Sequence, residues 1–146
     1  MNQPKLPPPL YKFIFILIVA ALVAAISLAW LRKNDEPPPA VTDHDFDSGH
    51  AIWSIDGYPA KVLKDNRFVI ELTERSGAPL TGAELAVKLE MLDMVCGDYE
   101  FTMTEAAPGI YEGDGVPLMA GMWKATMTLK TGSHTYKIVR LLKAAH

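Results

Sequence analysis

Two periods of hydrophobicity divide this chain. From Phe13 to Leu31, 19 residues pass without a charge, and Ser27 is the one conventional polar side chain among them. At about 1.5 Å per residue, this run approaches the roughly 30 Å hydrocarbon core of a bilayer. It has no polar face to turn toward water, so the pattern predicts a membrane-spanning helix over 13–31. From about residue 51 the period changes to two. Phe68, Ile70 and Leu72 share one face of 67–73, and Leu85, Val87 and Leu89 oppose Glu84, Lys88 and Glu90. Trp123, Ala125, Met127 and Leu129 oppose Lys124, Thr126, Thr128 and Lys130. Alternation of this kind predicts half-buried strands, here over 60–63, 67–73, 84–92, 99–104, 110–114, 122–130 and 134–142. The last is the least clearly sided, because Arg140 shares a face with Tyr136 and Ile138.

Turn formers fall between these runs at Asp65-Asn66, Gly77-Ala78-Pro79, Pro108-Gly109, Ala120-Gly121 and Thr131-Gly132-Ser133. About seven short antiparallel strands in some 90 residues imply an all-β domain, a small immunoglobulin-like antiparallel sandwich preceded by one transmembrane helix. Pro37-Pro38-Pro39 and the acids that follow read as an extended, well-solvated tether. The expected organisation is a short cytoplasmic tail (1–12), an anchor (13–31), a Pro/Asp-rich linker (32–49) and an extracytoplasmic β domain (50–146).

Two fates fit the apolar run: a retained anchor or a cleaved secretory signal, with Ser27-Leu28-Ala29 as small residues for a peptidase. Its length, and the close in Trp30-Leu31-Arg32-Lys33, favour the anchor. Lys5 and Lys12 before the run balance Arg32 and Lys33 after it, so basic residues close to the membrane do not decide orientation. The helix's early position favours a cytoplasmic N-terminus and an extracytoplasmic C-terminal domain, single-pass in the cell membrane. Residues 34–146 carry 10 Lys+Arg against 17 Asp+Glu, a formal charge of −7. That balance leaves no basic face for nucleic acid.

Candidate chemistry is sparse. The five serines have no recognisable base beside them, and there is no glycine-rich phosphate loop and no His-Glu-x-x-His helix. An enzyme is not expected. His44 and His50 near Asp43, Asp45 and Asp47 raise divalent-ion binding, though a polar tether has the same composition. Six methionines and the sole cysteine lie between residues 91 and 127. Thioether and thiolate sulfurs are soft ligands that suit Cu(I). Met91, Met94 and Cys96 are therefore the candidate metal ligands, with His50 or His134 as possible additions. Core packing is the competing reading for these residues, since methionine fills irregular gaps and a lone cysteine is often buried.

Ser76-Gly77-Ala78-Pro79-Leu80-Thr81-Gly82-Ala83 leads into an alternating strand that ends in Met91-x-x-Met94. Ala107-Pro108-Gly109-Ile110-Tyr111-Glu112-Gly113 and Met119-Ala120-Gly121-Met122-Trp123 follow. In this order the chain resembles the YtkA-like/FixH-like extracytoplasmic domain family over roughly 65–142. The resemblance implies an immunoglobulin-like sandwich behind a membrane anchor, associated with copper supply and cytochrome oxidase assembly. It implies turn-shaping roles for Gly77, Pro79, Gly82 and Ala83, with Gly109, Tyr111 and Gly113 as a second turn-and-strand signature. Related copper domains set a histidine beside their methionines, where this chain has Cys96. The expected function is a membrane-anchored accessory protein that handles copper or supports assembly of a respiratory oxidase, with the oxidase or its assembly factors as partners. The alternative is a metal-free interaction or structural module of the cell envelope.

Overall fold

A computed structural model describes residues 8–34, 36–95 and 97–146 as two compact units that divide after Glu36. The first contains helix α1, Pro8–Asn34, which overruns the expected 13–31 at both ends. Its stretch Leu10–Arg32 is long and apolar enough to cross a bilayer. Large apolar side chains are exposed all around this helix, from Leu10 and Tyr11 to Trp30 and Leu31. The Ser27 hydroxyl donates to the Val23 carbonyl one turn back at 2.8 Å, so the one polar group in the run is satisfied within the helix.

The second unit, Pro37–His146, is β-rich. Its strands are β1 (Val41–Phe46), β2 (Gly49–Ile55), β3 (Ala60–Lys61), β4 (Asn66–Glu74) and β5 (Glu84–Met91). After them come β6 (Tyr99–Ala107), β7 (Ile110–Gly115), β8 (Gly121–Thr131) and β9 (His134–Ala145). All seven strands expected from the alternation are present. The expected linker over 32–49 is corrected in its second half, because Val41–Phe46 forms a hairpin with β2. Thr42, His44 and Phe46 turn half-buried to one side while Asp43 and Asp45 stay exposed on the other. Polar residues occupy both faces, so hydrophobic contrast does not reveal this strand.

The strands form one continuous curled open sheet in the order β1-β2-β4-β7-β6-β5-β8-β9-β3, antiparallel except for β3 against β9. Strand β6 makes the bend. Its residues Tyr99 to Met103 pair with β5, whereas Thr104 to Ala107 pair with β7 across a register shift after Glu105. One strand thus serves both halves, which is how a sheet turns a corner without breaking its ladder.

The inner face holds the core. Trp53 and Phe68 from one half meet Trp123, Leu89, Met127 and Leu142 from the other, all fully buried. Phe68 and Phe101 lie with ring centroids 5.1 Å apart. Gly115 permits this, since a Cβ there would stand 2.7 Å from both rings.

A second corner joins two turns. The Glu105 carboxylate accepts the Gly82 and Gly109 amides, each at 3.0 Å, and these hydrogen bonds hold its pKa below the usual carboxylate value. The Tyr111 hydroxyl donates to the Leu80 carbonyl and accepts the Ala83 amide, each at 3.0 Å. Gly109 has φ +74°, and a Cβ there would meet the Leu72 carbonyl oxygen at 2.7 Å.

Along β9, Ile138, Arg140, Leu142 and Ala144 are buried while Val139 and Leu141 are exposed. Arg140 is only 3% exposed. Its Nη1 donates to the Trp53 carbonyl at 2.8 Å and its Nη2 to the Pro39 carbonyl at 2.7 Å. Both nitrogens also lie 3.3 Å from the Ala40 carbonyl. The guanidinium stands 5.7 Å from the centroid of the Trp53 ring. The last strand is thereby tied to β2 and to the residues that lead into β1.

Three substitutions at two positions probe these joints. Arg140→Met strands buried carbonyls and is expected to cost about 2–4 kcal/mol. Arg140→Lys should recover only part of this, since an ammonium lacks the planar fork. Gly109→Ala is expected to cost about 1–3 kcal/mol or more from backbone strain and the Leu72 clash. Urea unfolding of the full chain in detergent micelles, followed by tryptophan fluorescence, measures all three.

Candidate functional site at the apolar loop end

Three loops converge at one end of the β domain: residues 62–65 between β3 and β4, 92–98 between β5 and β6, and 116–120 between β7 and β8. The Leu63 amide donates to the Pro117 carbonyl at 2.9 Å, and the Leu92 amide to the Met122 carbonyl at 3.1 Å. The position a Cβ would take on Gly97 lies 3.9 Å from Leu118 Cδ1. Buried Asn66 organises the first loop. Its Oδ1 accepts the Lys61 amide at 2.6 Å, and its Nδ2 donates to Lys61, Lys64 and Gly115 carbonyls at 2.9, 2.8 and 3.2 Å.

These loops turn apolar side chains outward. Leu63, Leu92, Met94, Val95, Leu118 and Met119 make up six of the nine exposed large apolar residues described in the β unit, the others being Val41, Val139 and Leu141. Val95 is 99% exposed and Leu63 69%. Leu63 also has φ +55°, the one non-glycine residue with positive φ among those described. A bulky side chain there carries strain that glycine or asparagine would avoid.

Of the expected metal ligands, Met91 closes β5 at this end, half-buried, paired with Trp123 and with its methyl over Gly121. Met94 is exposed in the adjoining loop. Cys96 lies outside the described residues. Met119 and Met122 belong to the same end, where the Trp123 indole N–H donates to the Met119 carbonyl at 2.9 Å.

The two histidines lie elsewhere. On β8, Trp123 pairs with Met91 and Thr131 pairs with His134. Those eight strand residues separate His134 from Met91 by about 26 Å. His134 is exposed and stacks on Tyr136, whose hydroxyl hydrogen-bonds Ser48. His50, two residues beyond Ser48, shares that far end. Neither histidine completes a site with Met91.

His50 has carboxylate partners instead. Asp43 and Asp45, two apart on β1, point to the same side, and Asp45 is the direct cross-strand partner of His50. Nδ1 of His50 lies 2.8 Å from Asp45 Oδ1, and Nε2 lies 2.6 Å from Asp43 Oδ1. When protonated, this imidazole donates to both carboxylates and offers no lone pair to a metal ion. Among the described residues, no group of three or more His, Cys, Asp or Glu side chains is placed to hold a metal ion. Sulfur chemistry in the sequence points to Met91 and Met94 but not to Leu63 and Leu118. Their signal was available as apolar residues set inside turn-rich connections, Val62-Leu63-Lys64-Asp65 and Val116-Pro117-Leu118-Met119.

No family model, curated protein or solved structure matches this chain.

The β1–β2 hairpin has two histidines of opposite behaviour. The hydrogen bond to Asp45 chiefly raises the pKa of His50, whereas burial, then the nearby Arg140 charge, lowers that of His44. His50 stabilises the fold fully below the ordinary value of 6.5, and this contribution fades as pH rises through its raised folded pKa. His44 acts the other way, and stability falls as pH drops from 6.5 toward its lowered folded pKa. NMR titration of the imidazole protons is expected to place the midpoints on opposite sides of 6.5, with Asp45→Asn drawing that of His50 downward.

Proposed function

We propose that this protein is a single-pass, membrane-anchored accessory protein, without catalytic activity of its own, that presents its β domain on the extracytoplasmic side. In this reading it supports assembly of a respiratory oxidase by handling Cu(I), with the oxidase or its assembly factors as partners. The observation that carries the reading is the separation of donor types along the β domain. Met91, Met94, Met119 and Met122 gather at the apolar loop end, while His50, Asp43 and Asp45 lie at the other. Thioethers are a donor set for a soft monovalent ion, and an apolar surround favours its exchange with a partner's sulfurs. Cys96 would add a thiolate to the set.

Strand order supports an immunoglobulin-like sandwich as the fold's finer description. Lettering β2, β4, β5, β6, β7, β8 and β9 as A to G gives A-B-E-D followed by C-F-G, the layout of a constant-type immunoglobulin domain. Such a layout, behind an apolar N-terminal helix, is what the YtkA-like/FixH-like resemblance implies.

A metal-free envelope interaction module is the second reading, and the exposed Val95, Leu63 and Leu92 favour it. Cu(I) titration of the full-length protein in detergent, under reducing conditions with a competing chelator, separates the two. Tight binding is expected, to be weakened at least about tenfold by Met91→Ala, Met94→Ala or Cys96→Ala and unaffected by His134→Ala. Absence of binding by the wild-type chain would remove the copper role and leave the interaction module.

A further inference from the structure

We propose that the apolar loop end docks into the lipid–water interface of the membrane that holds the anchor, with a zwitterionic lipid surface as its occupant. The inference rests on the anchored reading but is independent of copper.

Three observations carry it. Exposed large apolar side chains on the β domain are concentrated here, where Leu63, Leu92, Met94, Val95, Leu118 and Met119 project from three loops, two of them joined by the Leu63–Pro117 hydrogen bond and the third held to β8 through Leu92 and Met122. Val95 at 99% and Leu63 at 69% exposure are free to enter a lipid interface. Leu63 is held at φ +55° by a turn that Asn66 saturates with hydrogen bonds, so the fold tolerates backbone strain to keep a leucine pointing outward. Strain of this kind collects where exposure of a particular side chain is useful.

The third observation is where the tether arrives. Val41 pairs with Ser54 and Ser54 with Val69, three residues along β4 from Asn66, and β1 then runs away from the loop end. Pro39 and Ala40, clasped by Arg140, therefore enter the domain on the loop-end side. Five peptide steps separate Asn34 from Pro39, a reach of at most about 18 Å. The chain thus joins the β domain on its loop-end side after a short tether, and the His50 end is a strand length away from that point of entry. Charge selects the lipid class. Lys64, Asp65 and Asp93 border the apolar group, and Asp98 is engaged by Lys88 at 2.9 Å. With no basic cluster around these side chains and a formal charge of −5 over residues 37–146 (10 Lys+Arg against 15 Asp+Glu), an anionic surface is disfavoured and a zwitterionic one is not.

The test reconstitutes the full chain, one copy per disc, into phosphatidylcholine nanodiscs. In a Cys96→Ser background, Val95→Cys carries an environment-sensitive fluorophore, and Ser133→Cys at the opposite end carries the same label as reference. Docking predicts several-fold stronger quenching of the Val95 label by lipid bearing a shallow nitroxide. Combining Leu63→Asn, Leu92→Ser and Leu118→Ser should abolish that difference, while a thermal melt confirms that the domain stays folded. Leu63→Asn alone should reduce it and leave the fold intact. Equal, weak quenching at both labels would overturn the proposal while leaving the anchor in place. Loss of the protein from the discs would overturn both. A Val95 label that is aqueous in pure lipid discs but protected in native membranes would assign this end to a protein partner and likewise overturn the lipid assignment. So would quenching that appears only with two copies per disc, which would make a second copy of the chain the occupant.

Discussion

A guanidinium in the core organises this β domain. Burial lowers the pKa of Arg140 to about 10, so the side chain remains cationic at neutral pH. Its described partners are carbonyl oxygens of Pro39, Ala40, Trp53 and the adjacent Leu141, together with the face of the Trp53 ring. Leaving such a charge unsatisfied would be far costlier than leaving a neutral group so, and the folded chain must therefore bring three separate segments to it. These segments are the end of the tether, strand β2 and strand β9. The curled sheet closes its side-chain contacts around this point, with Phe46 and Tyr136 adding a second contact 5.0 Å apart between ring centroids. One donor is left over, since the buried Trp53 Nε1 lacks a protein acceptor. Seating the guanidinium and the indole together evidently outweighs that loss.

Because the strands run the length of the domain, its two ends carry different chemistry. At one, two carboxylates flank an imidazole on a hairpin. At the other, thioethers and aliphatic side chains crowd three loops. A strand of eight or more residues separates the two by about 26 Å or more, too far for one ligand to touch both. Any functional reading must therefore choose an end. Where the tether enters and where apolar surface is exposed both favour the loop end, while the hairpin's charges satisfy one another.

Much of this architecture is legible in the residues; β2, with Ala51, Trp53 and Ile55 buried on one face, is missing from the expected strands, and the other failures share a cause. Strands with apolar-polar contrast, such as Leu85-Ala86-Val87-Lys88-Leu89, announce themselves by period alone. Strand β1 does not, because Val-Thr-Asp-His-Asp-Phe alternates between two polar faces and its stability comes from cross-strand pairing with His50. Arg140 blurred the last strand for a related reason. A charged residue on an apolar face reads as poor siding until its acceptors, about 100 residues earlier, are known. The Met91–Met94 pair was visible as sulfur chemistry. Its separation from both histidines was not, because only register measures distance along a sheet.

The same geometry shows what the turn signatures can testify to. Gly82 and Gly109 meet at the Glu105 carboxylate, and Tyr111 reaches back to Leu80 and Ala83. The first two signature segments, far apart in sequence, are therefore one corner of the fold. Each of these groups is occupied by another, with hydroxyl, carboxylate and amides closing a set of internal hydrogen bonds. Residues engaged in this way carry architecture, and a likeness that rests on them speaks to the shape of the domain. The third segment, Gly121-Met122-Trp123, differs in kind. It opens β8 at the loop end, where the Met122 carbonyl holds the Leu92 amide and Gly121 makes room for the Met91 methyl. Fold and function thus draw on different parts of the same sequence pattern, and metal chemistry has to be judged from Met91, Met94 and their loop neighbours, not from the corner.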